Sequence, residues 1–150
     1  MDDISIQFVC LGNICRSPLA EGVFRHLAGT SLAKRSYRVS SAGIGGWHKG
    51  NPPDPRAIAV ARCNGIDISR QRARQFAEAD FANHDLVVAM DKANLETLSA
   101  LAKPLDRERL HLFSTLTHGQ SFDIPDPYHG DSNRVRSGLQ HDLFGLRSPV

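Results

Sequence analysis

Apolar positions along the chain switch between two rhythms. In ISIQFV (4–9) the β-favouring residues Ile4, Ile6, Phe8 and Val9 crowd together and end at Cys10, which predicts a strand. The rhythm then lengthens: Leu19, Val23, Phe24 and Leu27 recur at helical spacing. Ser17 before Pro18 fits an N-cap with proline at the first helical position, Glu21 suits the positive end of a helix dipole, and Gly29 is the expected stop. YRVSSA (37–42) reads as a second strand, followed by the glycine- and proline-rich loop GIGGWHKGNPPDP. Asp54 and Pro55 then open a helix that Gly65 stops. A further helix is expected over 73–83, and HDLVVAM (84–90) reads as a buried strand from its unbroken apolar run. Asp91 caps a helix over 91–101, and RLHLF (109–113) is the fourth strand. Beyond it STLTHGQSFDIPDPYHGDS is a long loop of the kind that carries function, and a last helix is expected near 132–146.

Strands that alternate with helices imply an α/β fold, a parallel sheet covered on both faces through right-handed crossovers. Ligands of such sheets bind beyond the carboxyl ends of the strands, beside helix N-termini. The segment from Cys10 to Ser17 falls at such an end.

Composition narrows the class. A chain of 150 residues is the size of one domain and needs no staple, since a domain of this length buries about 68–70% of its unfolded surface. One domain over 1–150 is therefore expected, with no structural metal. No apolar run approaches the ~20 residues of a membrane span, and the acidic start MDDISIQFVC lacks the basic region of a signal peptide. A cytoplasmic protein without membrane contact is the expectation. Lysine plus arginine number 18 against 16 acidic residues, too even a balance for a nucleic-acid footprint. The one basic stretch, SRQRARQF (69–76), reads as a solvated face at the start of a helix. Cys10, Cys15 and Cys63 lack C-x2-C spacing and histidine partners, which argues against a disulfide framework and a zinc site. Cys63 falls on the helix 55–64 and is expected in the core, and the seven histidines are scattered singly.

The segment CLGNICRS holds the chemistry. Between a strand end and a helix start, the backbone N–H groups of Leu11, Gly12, Asn13, Ile14, Cys15 and Arg16 have no intrahelical partners and can converge on one anion. Gly12 permits tight curvature, and Asn13 tolerates left-handed backbone. Arg16 adds a planar cation able to hold two phosphate oxygens. Cys10 lies at the root of this cradle, where a helix N-terminus and a cation favour the thiolate, the form of sulfur that attacks phosphorus. The departing oxygen needs a proton, and Asp126, between two prolines in DIPDPYHG, suits an aimed general acid. Each signal alone has a plain reading: a packed thiol, a surface charge, a turn-starting Asp-Pro. Their combination points to phosphoryl transfer.

These residues resemble the low-molecular-weight protein tyrosine phosphatases. The resemblance rests on VCLGNICRSPLAEGVF, SAG, GWHKGNPPDPRA, ARQF, VVAMDKANL and DPYHG, and covers roughly residues 4–131. It implies a flavodoxin-like three-layer sandwich with a four-stranded parallel sheet, phosphotyrosine-containing proteins as substrates, and no metal or organic cofactor. It makes Cys10 the nucleophile, Arg16 the transition-state clamp and Asp126 the general acid. It assigns Asn13 to hold the loop by hydrogen bonds, Ser17 to stabilise the thiolate, and Trp47 and Tyr128 to the cleft walls. Cys15 matches a cysteine that forms a reversible disulfide with the nucleophile under oxidation, although the residues alone equally allow a packed thiol. A monomer or weak homodimer is expected.

Two positions and one stretch depart from that pattern. His129 stands where many relatives carry another aromatic and makes one wall of the cleft more polar, and Gln71 replaces a histidine that some relatives carry before ARQ. The stretch SNRVRSGLQHDLFGLRSPV is poorer in apolar periodicity than the family's final helix. Related activities on the same fold are protein arginine phosphatase and arsenate reductase. Ile14 favours the tyrosine branch, because the arginine branch tends to have threonine there, and Cys63 alone does not supply the reductase's shuttling cysteines. A silent phosphotyrosine-binding module would not need Cys10 and Asp126 together, and a flavin-carrying protein would not need a nucleophilic cysteine.

Overall fold

The first seven residues of the computed structural model, which describes residues 4–28 and 36–114, form the central strand β1, Ile4–Cys10. It pairs in parallel with β2 (Tyr37–Gly43) on one side and β3 (Leu86–Ala89) on the other, with β4 (Leu110–Leu112) outside β3. The order is β2-β1-β3-β4. A strand with neighbours on both edges and helices on both faces has no solvent side, so the polar positions Ser5 and Gln7 of its alternation are buried too.

Ile6, Phe8 and Cys10 face a core built with Leu19, Val23 and Phe24 of α1 (Arg16–Ala28) and Val60 of α2 (Pro55–Cys63). Val9, Val87 and Ala89 face a second core with Phe81 of α3 (Ala79–Asn83) and Leu98 of α4 (Lys92–Leu101). Gln7 is buried on that second face, where nothing among the described residues hydrogen-bonds its amide. The four-stranded parallel sheet matches the expected α/β class. The chain winds to one side of β1 and then to the other, so the switch point, where such folds bind ligands, lies at the end of β1. Cys10 stands there in register with Gly43.

The caps expected at Asp54 and Asp91 form: Asp54 accepts from Arg56 N–H at 2.8 Å and Asp91 from Asn94 N–H at 2.7 Å. Several elements differ from expectation. Helix α1 starts at Arg16, with Leu19 N–H donating to Cys15 O at 3.2 Å. Ser17 is therefore inside the first turn rather than at the cap, and Glu21 is a buried residue beyond that turn. The helix expected over 73–83 shrinks to Ala79–Asn83 because the backbone before it is used elsewhere. Gly43 N–H donates to Arg74 O at 2.8 Å and Phe76 N–H to Gly43 O at 2.7 Å, so 74–76 runs beside the end of β2. The basic stretch 69–76 is thus a loop and not a helix face. Residues 106–109 form a short 3-10 turn that shortens the last strand. Cys63 is exposed, not core, as the last residue of α2, where the chain turns away through Gly65 at φ 76°. Gly29, the loop from 115 onward and the helix expected near 132–146 lie outside the described residues.

No helix among the described residues is long and apolar enough to cross a membrane. Nor do those residues bring together three or more His, Cys, Asp or Glu side chains as a metal site would.

Candidate active site

Five residues, Leu11 to Cys15, carry the chain from the end of β1 to the first turn of α1. The turn is made at Asn13, whose φ of 59° lies in the left-handed region that asparagine tolerates. Gly12 is not left-handed. A Cβ there would stand 3.0 Å from Cδ2 of the His48 side chain, so the imidazole packs closely over the glycine. Gly43 is the position that requires glycine, since its Cβ would meet backbone, Gly12 C at 2.9 Å.

The loop's carbonyls are tied from outside. Ile44 N–H donates to Cys10 O at 2.9 Å, Gly45 N–H to Leu11 O at 2.9 Å, and Asp54 N–H to Ile14 O at 2.7 Å. In a trans peptide the N–H points opposite to the C=O of the same unit. The amides of Leu11, Gly12 and Cys15 are thereby turned to the inner side of the loop. Asn13 N–H points at the nucleophile itself, 3.2 Å from Cys10 Sγ. This is a nest of donors suited to a tetrahedral anion.

Below the nest a chain of hydrogen bonds has a fixed direction. Arg74 N–H donates to Asn13 Oδ1 at 2.9 Å, which leaves Asn13 Nδ2 facing two hydroxyls, Ser17 Oγ and Ser41 Oγ, each at 2.9 Å. Ser41 donates to Glu21 Oε1 at 2.8 Å, a carboxylate that accepts only. Ser17 already accepts from Asn13, so its own proton is left for Cys10 Sγ at 3.0 Å or Ala42 O at 3.4 Å. Once the sulfur is ionised only the hydroxyl has a proton to give across the 3.0 Å contact, the arrangement that stabilises an anionic sulfur.

Each end of this chain is held by an acid–arginine pair. Glu21 Oε2 takes Arg25 Nη1 at 2.8 Å, and Arg74 Nη2 donates to the buried Asp80 Oδ1 at 2.9 Å. Asp80 Oδ2 also accepts Ala77 N–H at 2.9 Å and so locks the 74–77 loop against the cradle.

Arg16 is 1% exposed, and its Nη1 donates to Asp91 Oδ2 at 2.8 Å. The clamp is thus aimed from α1 by the capping residue of α4. The neighbouring Asp54 is shielded from water, which alone would raise its carboxyl, but the side-chain and backbone hydrogen bonds of Arg56 hold it below the usual carboxylate range.

Among the sequence-derived candidates, Cys10, Asn13, Arg16 and Ser17 converge within this cradle. Ile14 and Cys15 are buried under it, and Leu11 is exposed at its lip. Trp47 is 69% exposed, its ring folded over Gly45, whose Cβ would fall 1.9 Å from Trp47 Cζ3. Asp126, Tyr128 and His129 lie outside the described residues. Ser41, Glu21, Arg74, Asp80 and Asp91 were not singled out as site residues, nor was His48, which lies against Gly12. The signal for Glu21 was present: a carboxylate amid the apolar stripe of α1.

The family model for low molecular weight phosphotyrosine protein phosphatases matches residues 5–146. The low molecular weight protein-tyrosine-phosphatase YfkJ of Bacillus subtilis is 41% identical over 127 residues, 84% of this chain and 81% of that protein. The low molecular weight phosphotyrosine protein phosphatase of Schizosaccharomyces pombe is 41% identical over 133 residues, 87% of this chain and 85% of its own. The solved structure of Vibrio vulnificus Wzb in complex with benzylphosphonate superposes with a TM-score of 0.83 at 31% identity, covering 97% of this chain and 96% of that one.

Proposed function

The chain belongs to the low molecular weight phosphotyrosine protein phosphatase family, and on that premise we propose that it hydrolyses phosphotyrosine in proteins through a cysteinyl-phosphate intermediate. It is a phosphoric monoester hydrolase, and its substrates are phosphoproteins. The observation that carries the mechanism is the Ser17 hydroxyl 3.0 Å from Cys10 Sγ, at the root of the nest and beside the anchored Arg16.

The thiolate of Cys10 attacks phosphorus, an S–P bond forms, and the P–O bond to the phenol breaks. Asp126 gives its proton to the departing phenolate oxygen. Water then attacks the phosphocysteine and passes a proton to the Asp126 carboxylate, the S–P bond breaks, and phosphate leaves. The amides of Leu11, Gly12 and Cys15, with those of Ile14 and Arg16, bind the phosphoryl oxygens, while Asn13 N–H, expected among them, is turned to Cys10 Sγ instead. Arg16 holds two of them as charge develops, and preorganised donors of this kind give much of a catalyst's advantage. Trp47, Tyr128 and His129 line the cleft for the phenyl ring. Wzb takes benzylphosphonate, a phosphorus acid carrying an aryl group, which supports an aromatic substrate here. Cys15 serves as a redox partner of Cys10. No metal or cofactor is needed for these steps. The protein works as a single domain over 1–150, a cytoplasmic monomer or weak homodimer.

Phosphotyrosine, phosphoserine and phosphoarginine peptides of matched sequence, assayed side by side, test the substrate class. Phosphotyrosine is expected to be turned over fastest, because a shorter phosphoserine does not reach the floor of the cleft. Faster turnover of phosphoarginine would overturn the tyrosine assignment while leaving the chemistry standing.

A further inference from the structure

The basic stretch SRQRARQF, expected as the face of a helix, lies instead as a loop along the cradle, and its charges need an explanation. It is zipped to the tryptophan-bearing loop: Gly50 N–H donates to Ala73 O at 2.8 Å and Ala73 N–H to Asn51 O at 2.8 Å. Both loops touch the cradle directly, one through Gly45 N–H on Leu11 O, the other through Arg74 N–H on Asn13 Oδ1. Over 43–51 and 69–76 the sequence holds His48, Lys49, Arg70, Arg72 and Arg74, and no aspartate or glutamate.

These cations are not equivalent. Arg74 is committed to Asp80, and Arg70 lies in the field of Asp67. Lys49 and Arg72 are exposed and form no ion pair with any carboxylate among the described residues. Arg72 is nevertheless held in place, its Nη1 donating to Ser69 O at 2.9 Å and to Gln71 O at 2.7 Å. A guanidinium fixed by neutral carbonyls keeps its full charge and has already lost much of the freedom that binding would cost it. Exposed Trp47 stands two residues before Lys49 on the same rim.

We infer that Lys49 and Arg72 form a docking edge for acidic residues flanking the phosphotyrosine of a protein substrate. The inference rests on the phosphatase reading, because it is a tyrosine seated in the cradle that lays its neighbours over these two loops. Opposite charges across a rim act mainly on encounter and on discrimination between partners.

The test is kcat/KM for three phosphotyrosine peptides of equal length, with flanks of glutamate, glutamine or lysine, at low and high salt. Wild type is expected to favour the glutamate peptide over the glutamine peptide by roughly three- to tenfold, the size of two exposed charge pairs. The preference should fade towards one at about 1 M salt, where screening acts within ~3 Å. Lys49→Gln and Arg72→Gln should each lower the ratio, and Lys49→Glu with Arg72→Glu should invert it in favour of the lysine peptide. A ratio of one in wild type, or the same preference in wild type and the doubly reversed variant, overturns the docking edge alone. Absence of turnover on all three peptides overturns the phosphatase reading itself.

Discussion

Arg16 and Asp91 are joined by a single contact of 2.8 Å from Nη1 to Oδ2, while the other oxygen of Asp91 caps helix α4 through Asn94 N–H at 2.7 Å. The residue that clamps phosphate is thereby aimed by a residue whose second task is to start a helix on the opposite side of the sheet.

Substitutions at Asp91 separate the two tasks. Asparagine keeps an oxygen for the cap and loses the charge; alanine loses both. Both variants are expected to lower kcat/KM for an aryl phosphate roughly ten- to a hundredfold, the equivalent of ~1.5–3 kcal/mol for a hydrogen bond to a charged group. Both lose the ion pair to the buried Arg16, and Asp91→Ala should lose about 1 kcal/mol more stability than Asp91→Asn in urea unfolding, the usual worth of an N-cap. Wild-type turnover in Asp91→Asn would show that the ion pair does not position Arg16.

The direction of the hydrogen-bond chain under Cys10 predicts a graded response to iodoacetate at fixed pH. Ser17→Ala removes the donor to Cys10 Sγ and should slow alkylation most, roughly tenfold or more. Ser41→Ala and Glu21→Gln loosen the orientation of Asn13 from a distance and should slow it by smaller factors. Equal alkylation rates in all four proteins would mean that the chain is structural only.

Asp54 links acid stability to the cradle, since its N–H holds Ile14 O and its carboxylate caps α2 against Arg56. Its folded-state carboxyl is depressed below the ordinary 3.8 because Arg56 outweighs the effect of burial. A depressed acid stabilises the fold fully above its unfolded pKa, and that contribution is lost as the pH falls through the folded value. Asparagine caps about as well as aspartate, so Asp54→Asn isolates the charge. Wild type should therefore exceed Asp54→Asn in stability near neutral pH, and the gap should close in acid. A gap that stays constant down to about pH 2 would remove Asp54 from the acid response.

The sheet was legible because its signals are local: the β-favouring residues of β1 stand together in Ile4–Cys10, and the caps at Asp54 and Asp91 stand next to the helices they open. The cradle was legible for the same reason, as Cys10 to Ser17 are contiguous. Its supports were not. Asp91 and Arg74 lie far along the chain from Arg16 and Asn13, and Arg74 acts on Asn13 through a backbone amide, which leaves no mark in residue type. The helix expected over 73–83 failed where tertiary hydrogen bonds to Gly43 and Asn13 displaced helical ones. The close packing of His48 on Gly12 was hidden for the same reason, since the two lie far apart in sequence.

Rapid acid quench of the enzyme during turnover of an aryl phosphate, followed by peptide mass spectrometry, tests the covalent mechanism most directly. Phosphate should be found on Cys10 in wild type, and Cys10→Ser should show no turnover. Asp126→Ala should still form the phosphocysteine from substrates with good leaving groups and slow most for poor ones. Turnover in Cys10→Ser, or phosphate release in wild type with no phosphocysteine at any quench time, would contradict attack by Cys10.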